Sequence, residues 1–362
     1  FRVCQPPHAG HQCMHQLTQN PTPSPRGERG DSNAPGASPR SRPSGYSSSP
    51  RNHLAGGGAA VTINAINKLL FDLDSSGPAR VHKLLVKFVE ENGDPSRSPN
   101  YHSPHRDDLS ELARALTHPI CIKSRPLALG LVRSLKICAR KQVNRNNLKP
   151  VELQPVATLL GTVGTEDGEL AADVANYILN VCYFPPNVKH VLPAVPHLVA
   201  CLKSPDEALQ IAAAGALQSI CMHDVGKTDV VEYDGVQGVL ALLGSLNFKV
   251  VTRCVGTLHN LSTMWPGVHS IRDNGGLPMV VALLEDGYPP EVKRHAAGVL
   301  QNCSRDKDSI PIIREHNAVD LLSKLLFLDD LTTQMPATGA LLNINGTCGD
   351  QSEQRQAMKK TL

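Results

Sequence analysis

The sequence predicts an all-α fold, a right-handed α-solenoid in which each helical unit packs on its neighbours. The first observation is a returning phrase: GTLHNLS at residues 256–262, GVLQNCS at 298–304 and GALLNIN at 339–345. Taking Leu258 as the reference, the equivalent apolar residues run Leu135, Ile178, Leu217, Leu258, Leu300 and Leu341, at intervals of 43, 39, 41, 42 and 41 residues. A period of about 40–47 residues belongs to stacked units of two or three helices, about six of them here. The second observation is composition. Aromatic residues make up 4% of the chain and Trp265 is the only tryptophan, so the interior must be built from Leu, Val, Ile, Ala and Gly. The third is punctuation, with Gly and Pro dividing each period into three apolar-periodic segments.

In chain order, residues 1–58 come first. They are rich in Pro, Ser, Gly and Arg, cannot bury enough apolar surface to offset the entropy of ordering, and are expected to be disordered. Through residue 60 six arginines face Glu28 and Asp31, a balance of +4 against +3 for the whole chain, so the remainder is close to neutral. A soluble linker with Ser24-Pro25, Ser38-Pro39 and Ser49-Pro50 is favoured over a nucleic-acid arm. Residues 59–106 hold two helical segments, INKLLFDL and ARVHKLLVKFVEEN, separated by SSGP and followed by a polar loop; they read as a divergent first repeat or an N-terminal cap.

The regular array occupies residues 107–362. In SIRDNGGLPMVVALLEDGYPPEVKRHAAGVLQNCS a short helix ends near Asn274-Gly275-Gly276, a second runs through Leu284, and a third follows Pro289-Pro290 and ends at Ser304. Glycine suits the left-handed residue after a helix and proline the first turn of the next. Asp234-Gly235 marks the same corner one unit earlier, and Ser204-Pro205 reads as N-cap and first residue of another third helix. The final SEQRQAMKKTL reads as the opening helix of a further unit. With Phe1 in place of a starting Met, this suggests a fragment.

Three helices with a glycine corner, the G-x-L-x-N-L-S ending and the N-G-G-L-P-x-V-V-x-L-L second helix resemble armadillo repeats, over roughly residues 107–350 and more weakly back to 61. The texture is similar to the catenin and vacuolar members. The resemblance implies that third helices line a concave surface bearing an asparagine ladder that holds an extended peptide. Its rungs here are Asn180, Ser219, Asn260, Asn302 and Asn343. A side-chain amide both donates and accepts, so it can satisfy a peptide backbone without reading sequence; alternatively each Asn only bonds its own turn. Pro336 interrupts the last third helix and puts Asn343 in doubt. One turn earlier lie Asn176, Gly215, Gly256, Gly298 and Gly339, where importin-type members place tryptophan, which argues against a nuclear-import adaptor. The small residues there either admit a ligand backbone or let adjacent helices approach. Further along the stripe, Asp173 and Glu169 make the Asn180 unit acidic, Lys249 and Arg253 make the Asn260 unit basic, and His295 follows in the next unit. An acidic or phosphorylated segment beside Lys249 and Arg253 is the expected ligand.

No phosphate loop, nucleophile elbow, HExxH or kinase set occurs, and no enzyme activity, metal or cofactor is expected. Cys4, His8, His11, Cys13 and His15 cluster near the start but match no standard zinc spacing. Cys138, Cys182, Cys221, Cys254, Cys303 and Cys348 follow the repeat phrase and read as small buried hydrophobes, consistent with a reducing cytoplasmic or nuclear compartment. No apolar run of about 18 residues suggests a membrane span. The chain is expected to be a protein-interaction scaffold or, as the alternative, the substrate-recognition region of a larger enzyme such as a ubiquitin ligase.

Overall fold

A computed structural model describes residues 60–94 and 105–346. The expectations for the arginine-bearing tail, the cysteine–histidine cluster, Cys348 and the closing SEQRQAMKKTL lie outside the described residues. Within the described residues all regular structure is helical.

Seven long helices organise the array: α1 (Pro78–Asn92), α2 (Arg125–Cys138), α3 (Gly168–Val181), α4 (Glu207–Ile220), α5 (Phe248–Leu261), α6 (Pro290–Cys303) and α7 (Leu331–Gly346). Each packs on the one before and the one after it. The 41-residue recurrence is the step from one of these helices to the next. The repeat leucines face the shared core: Leu135, Ile178, Leu217, Leu258 and Leu300 are fully buried, and Leu341 is half-buried. The cysteines Cys138, Cys182, Cys221, Cys254 and Cys303 are buried in the same core and not joined in disulfides. Burial raises the Cys254 and Cys303 thiols to about 12, so they pack as small apolar residues.

α1 stacks on α2 as a third helix does, so the segment before the regular array supplies one more layer. Glu152, fully buried, binds Arg106 at 3.1 Å and the backbone N–H of Lys149 at 2.6 Å. Lys141 reaches Asp107 at 2.9 Å. These two ion pairs tie residues 106–107 to the units that follow.

Polar caps recur with the period. Asp167 accepts from the backbone N–H of Leu170, Asp206 from Ala208 and Asn247 from Lys249, each satisfying a donor the helix start leaves unpaired. Asp206 therefore caps α4, and the helix begins at Glu207, two residues beyond the Pro205 start read from the sequence. The left-handed corner expected before the short second helix is a glycine in one of three units. The left-handed residue is Asp234 (φ 59°), Gly275 (φ 69°) and Asn317 (φ 61°) in successive units. Asp and Asn tolerate this region through local side-chain hydrogen bonding, and so substitute for Gly. At Asp234-Gly235 the glycine is required for space, because a Cβ on it would lie 2.7 Å from the carbonyl oxygen of Val230.

One unit departs from the period. Its second helix, Pro150–Val163, has 14 residues, against seven in Val195–Cys201, Gly235–Ala241 and Gly276–Ala282 and eight in Ala318–Leu325. This longer helix falls within the 43-residue interval between Leu135 and Ile178, the longest of the five.

Candidate functional site: the face of the stacked long helices

The asparagine row is brought together by the stack, and its amide nitrogens are already committed. Asn180 donates to the Lys136 carbonyl at 3.3 Å, Asn260 to the Gln218 carbonyl at 2.9 Å and Asn343 to the Gln301 carbonyl at 3.0 Å. Asn302 donates to the Ser262 hydroxyl at 3.0 Å, and Ser262 in turn donates to the His259 carbonyl. Each rung thus caps the end of the preceding long helix, where carbonyls lack an intrahelical partner. The reading in which each amide only bonds its own turn changes: the amide nitrogens link consecutive units. Ser219, nearly fully buried, breaks the row between Asn180 and Asn260. Asn343 makes the same bond as Asn260 although α7 runs through Pro336, so the proline does not displace this rung.

The glycine row is explained by packing. A Cβ on Gly215 would lie 2.8 Å from Leu179 Cδ1, on Gly256 2.9 Å from Gln218 Cδ, on Gly298 2.6 Å from His259 Cε1 and on Gly339 2.7 Å from Gln301 Cδ. The residue just before each rung therefore lies across the glycine of the next unit. Adjacent long helices approach closely here; the flexible ends of Leu179, Gln218 and Gln301 fill the space at three of these glycines, and the ring of His259 fills it at Gly298. Asn176, at the same position in α3, donates to the Ala172 carbonyl of its own turn.

Charge divides the face into two sectors. In the Asn180 sector Asp173 pairs with Arg133 (2.8 Å) and Lys136, while Glu169 pairs with Arg133 (2.6 Å) and Arg125 (2.7 Å), and Arg125 also holds Asp167. The Arg125 and Arg133 guanidinium hydrogen bonds keep the Glu169 carboxyl below its ordinary range. The acidic groove expected from Asp173 and Glu169 is therefore a neutralised network, because α2 supplies three cations directly opposite. The Asn260 sector differs. Lys249 and Arg253 are exposed, and among the described residues neither lies within ion-pair distance of a carboxylate. Arg253 donates to Gln218 Oε1 at 3.0 Å.

Next to Arg253 the structure places a pair absent from the sequence reading. His259 Nδ1 and His295 Nδ1 are 3.2 Å apart, with the rings edge to face. Burial pushes both imidazoles down, His259 to about 4 with Arg294 adding to it, and His295 to about 3 with His259, Arg294 and Arg253 adding to it. Both are neutral at pH 7, and one Nδ1–H donates to the other. His295 thus presents no cation to a ligand; its polar edge is spent within the stack. The signal that could have found the pair is the alignment itself, since His259 precedes a rung and His295 lies seven residues before the next.

Similarity to known proteins agrees with this architecture. Residues 185–222 match the family model described as Armadillo/beta-catenin-like repeat. Splicing regulator ARVCF of Homo sapiens is 31% identical over 137 residues, 37% of this chain and 14% of that protein, and the Mus musculus protein matches equally. The aligned part is thus a small share of the relative's length. Among solved structures, a crystal structure of an engineered protein superposes with a TM-score of 0.65 at 24% identity, over 78% of this chain and 68% of that one. A designed armadillo repeat protein in complex with peptide (KR)4 superposes with a TM-score of 0.58 at 20% identity, over 66% and 100%. Residues 185–222 thus match an armadillo/beta-catenin-like repeat, and the stacked three-helix units have the fold of armadillo-repeat structures.

Proposed function

We propose that this chain is a protein-interaction scaffold whose long-helix face holds an extended segment of a partner, with an acidic or phosphorylated residue seated at Lys249 and Arg253. The observation that carries the reading is the contrast between sectors. Arg125, Arg133 and Lys136 are matched by carboxylates, whereas Lys249 and Arg253 are exposed with none. An unmatched Lys and Arg four residues apart on one helix face can close charge-assisted hydrogen bonds on a single phosphate or carboxylate. The rungs at Asn180, Asn260, Asn302 and Asn343 supply the backbone contacts. Because the Nδ2 groups of Asn180, Asn260 and Asn302 are committed to the preceding unit, their amide oxygens are the groups that accept from a ligand N–H. The neutral, half-buried His295 contributes contact surface in the unit of Asn302, while the buried Ser219 leaves a gap in the ladder. The designed relative was solved with the basic peptide (KR)4; the cationic sector here selects the opposite charge.

The test is a pull-down with residues 59–362 and with a Lys249→Glu/Arg253→Glu variant, read by mass spectrometry and followed by titration of the recovered segments in phosphorylated and unphosphorylated form. Partners retained equally by both proteins would refute the assignment.

A further inference from the structure

The unit with the long second helix also opens a groove that runs from that helix to the N-terminal ends of α2 and α3, at the edge of the long-helix face. The long second helix Pro150–Val163 presents Val151, Pro155, Leu159 and Val163 along one stripe, and the facing wall is formed by the turn around Ile122. Ile122 and Val151 are exposed, at 59% and 51%. The groove measures about 1350 Å³, above the roughly 300–1,000 Å³ of pockets that suit a small molecule.

We propose that this groove docks a short amphipathic helix of a partner protein, apolar toward the stripe and basic along its flank. Three points select that occupant. The stripe from Val151 to Val163 is about 18 Å long, the length of a twelve-residue helix. The wall from Pro150 to Val163 is an α-helix that bonds its own backbone, so it offers no row of main-chain partners to an extended strand; a helix needs none, since it satisfies its own backbone. Charge then fixes the flank. Arg125 is consumed by Asp167 and Glu169, which leaves Glu166 and Asp206 as acids without a cation and Lys123 as the single cation without an acid on the groove lining. A basic flank complements that edge.

The test uses the full chain with methyl-labelled Ile, Leu and Val, titrated with a synthetic fourteen-residue helix carrying Leu at i, i+3, i+4 and i+7 and Lys on its flanks. A scrambled peptide of the same composition and a version with Glu flanks serve as comparisons. The expected result is saturable binding with methyl shifts confined to the groove-lining Leu116, Ile122, Val151, Leu159, Val163 and Leu170. Binding should weaken about tenfold in Val151→Asp and about fivefold in Glu166→Lys, with circular dichroism unchanged, and be unaffected by Lys249→Glu. Shifts elsewhere, equal binding of the scrambled peptide, tighter binding of the Glu-flanked peptide, or no saturable binding would each overturn the proposal.

Discussion

Two glycine-to-alanine substitutions at equivalent positions should shift stability in opposite directions. Gly256 and Gly298 both lie in the interior of a long helix, where Ala gains about 0.5–1 kcal/mol over Gly from backbone entropy alone. What the new methyl meets differs. At Gly256 it meets the end of Gln218, a flexible side chain that can rotate outward, giving up only its bond to the exposed Arg253. At Gly298 it lies 2.6 Å from Cε1 and 2.7 Å from Cδ2 of His259, so the whole ring must move. That ring is held by His295 at 3.2 Å in a buried setting. Overpacking costs about 1–3 kcal/mol, and parting a buried hydrogen-bonded pair about 1–3 kcal/mol more. Gly256→Ala should therefore be neutral or stabilising by up to about 1 kcal/mol, and Gly298→Ala destabilising by about 1–5 kcal/mol. Hydrogen exchange across α5 and α6 is the suitable assay, since repeat arrays need not unfold in one step. A His259→Ala background should relieve much of the Gly298→Ala cost, which a double-mutant cycle would measure. Equal effects of the two glycine substitutions, or no coupling to His259, would refute the packing argument.

The His259–His295 pair also sets an acid limit. Both folded-state values, about 4 and about 3, lie below the ordinary 6.5, so on acidification the unfolded chain takes up protons before the folded one does. Stability contributed by the pair is complete above about pH 6.5 and falls as pH drops toward 4, by up to about 1.4 kcal/mol per pH unit for each histidine. Urea midpoints between pH 7.5 and 5 should fall less steeply in His295→Gln than in the parent. Asp173→Asn, which leaves Arg133 and Lys136 facing each other, should cost about 1–3 kcal/mol in urea unfolding. At the left-handed corner, Asn317→Ala should lower stability by about 1 kcal/mol while Asn317→Gly is neutral, readable from thermal midpoints. Replacing Asn260 and Asn302 together with Ala should cost about 1–3 kcal/mol before any ligand is added, since both donate across the unit boundary; unchanged hydrogen exchange in this variant would contradict their role as links.

The period, the three-helix unit and the buried face of each long helix were readable from the sequence, because a recurring apolar pattern at helical spacing has one efficient burial, against its own copies. Leu258 and its equivalents follow directly from that logic, as do the cysteines beside them. The rungs were legible as a row but not in their bonding. An amide's partner across a unit boundary depends on the stagger between two helices, which no spacing within one helix encodes. Asp173 illustrates the same limit. Its charge is visible in the chain, yet its neutralisation depends on Arg133 and Lys136, about 40 residues away, arriving opposite it. The His259–His295 contact and the groove beside Pro150–Val163 arise likewise from the register of neighbouring units. Local pattern determined what each unit is, and the stacking of units decided which of its polar groups remain available to a partner.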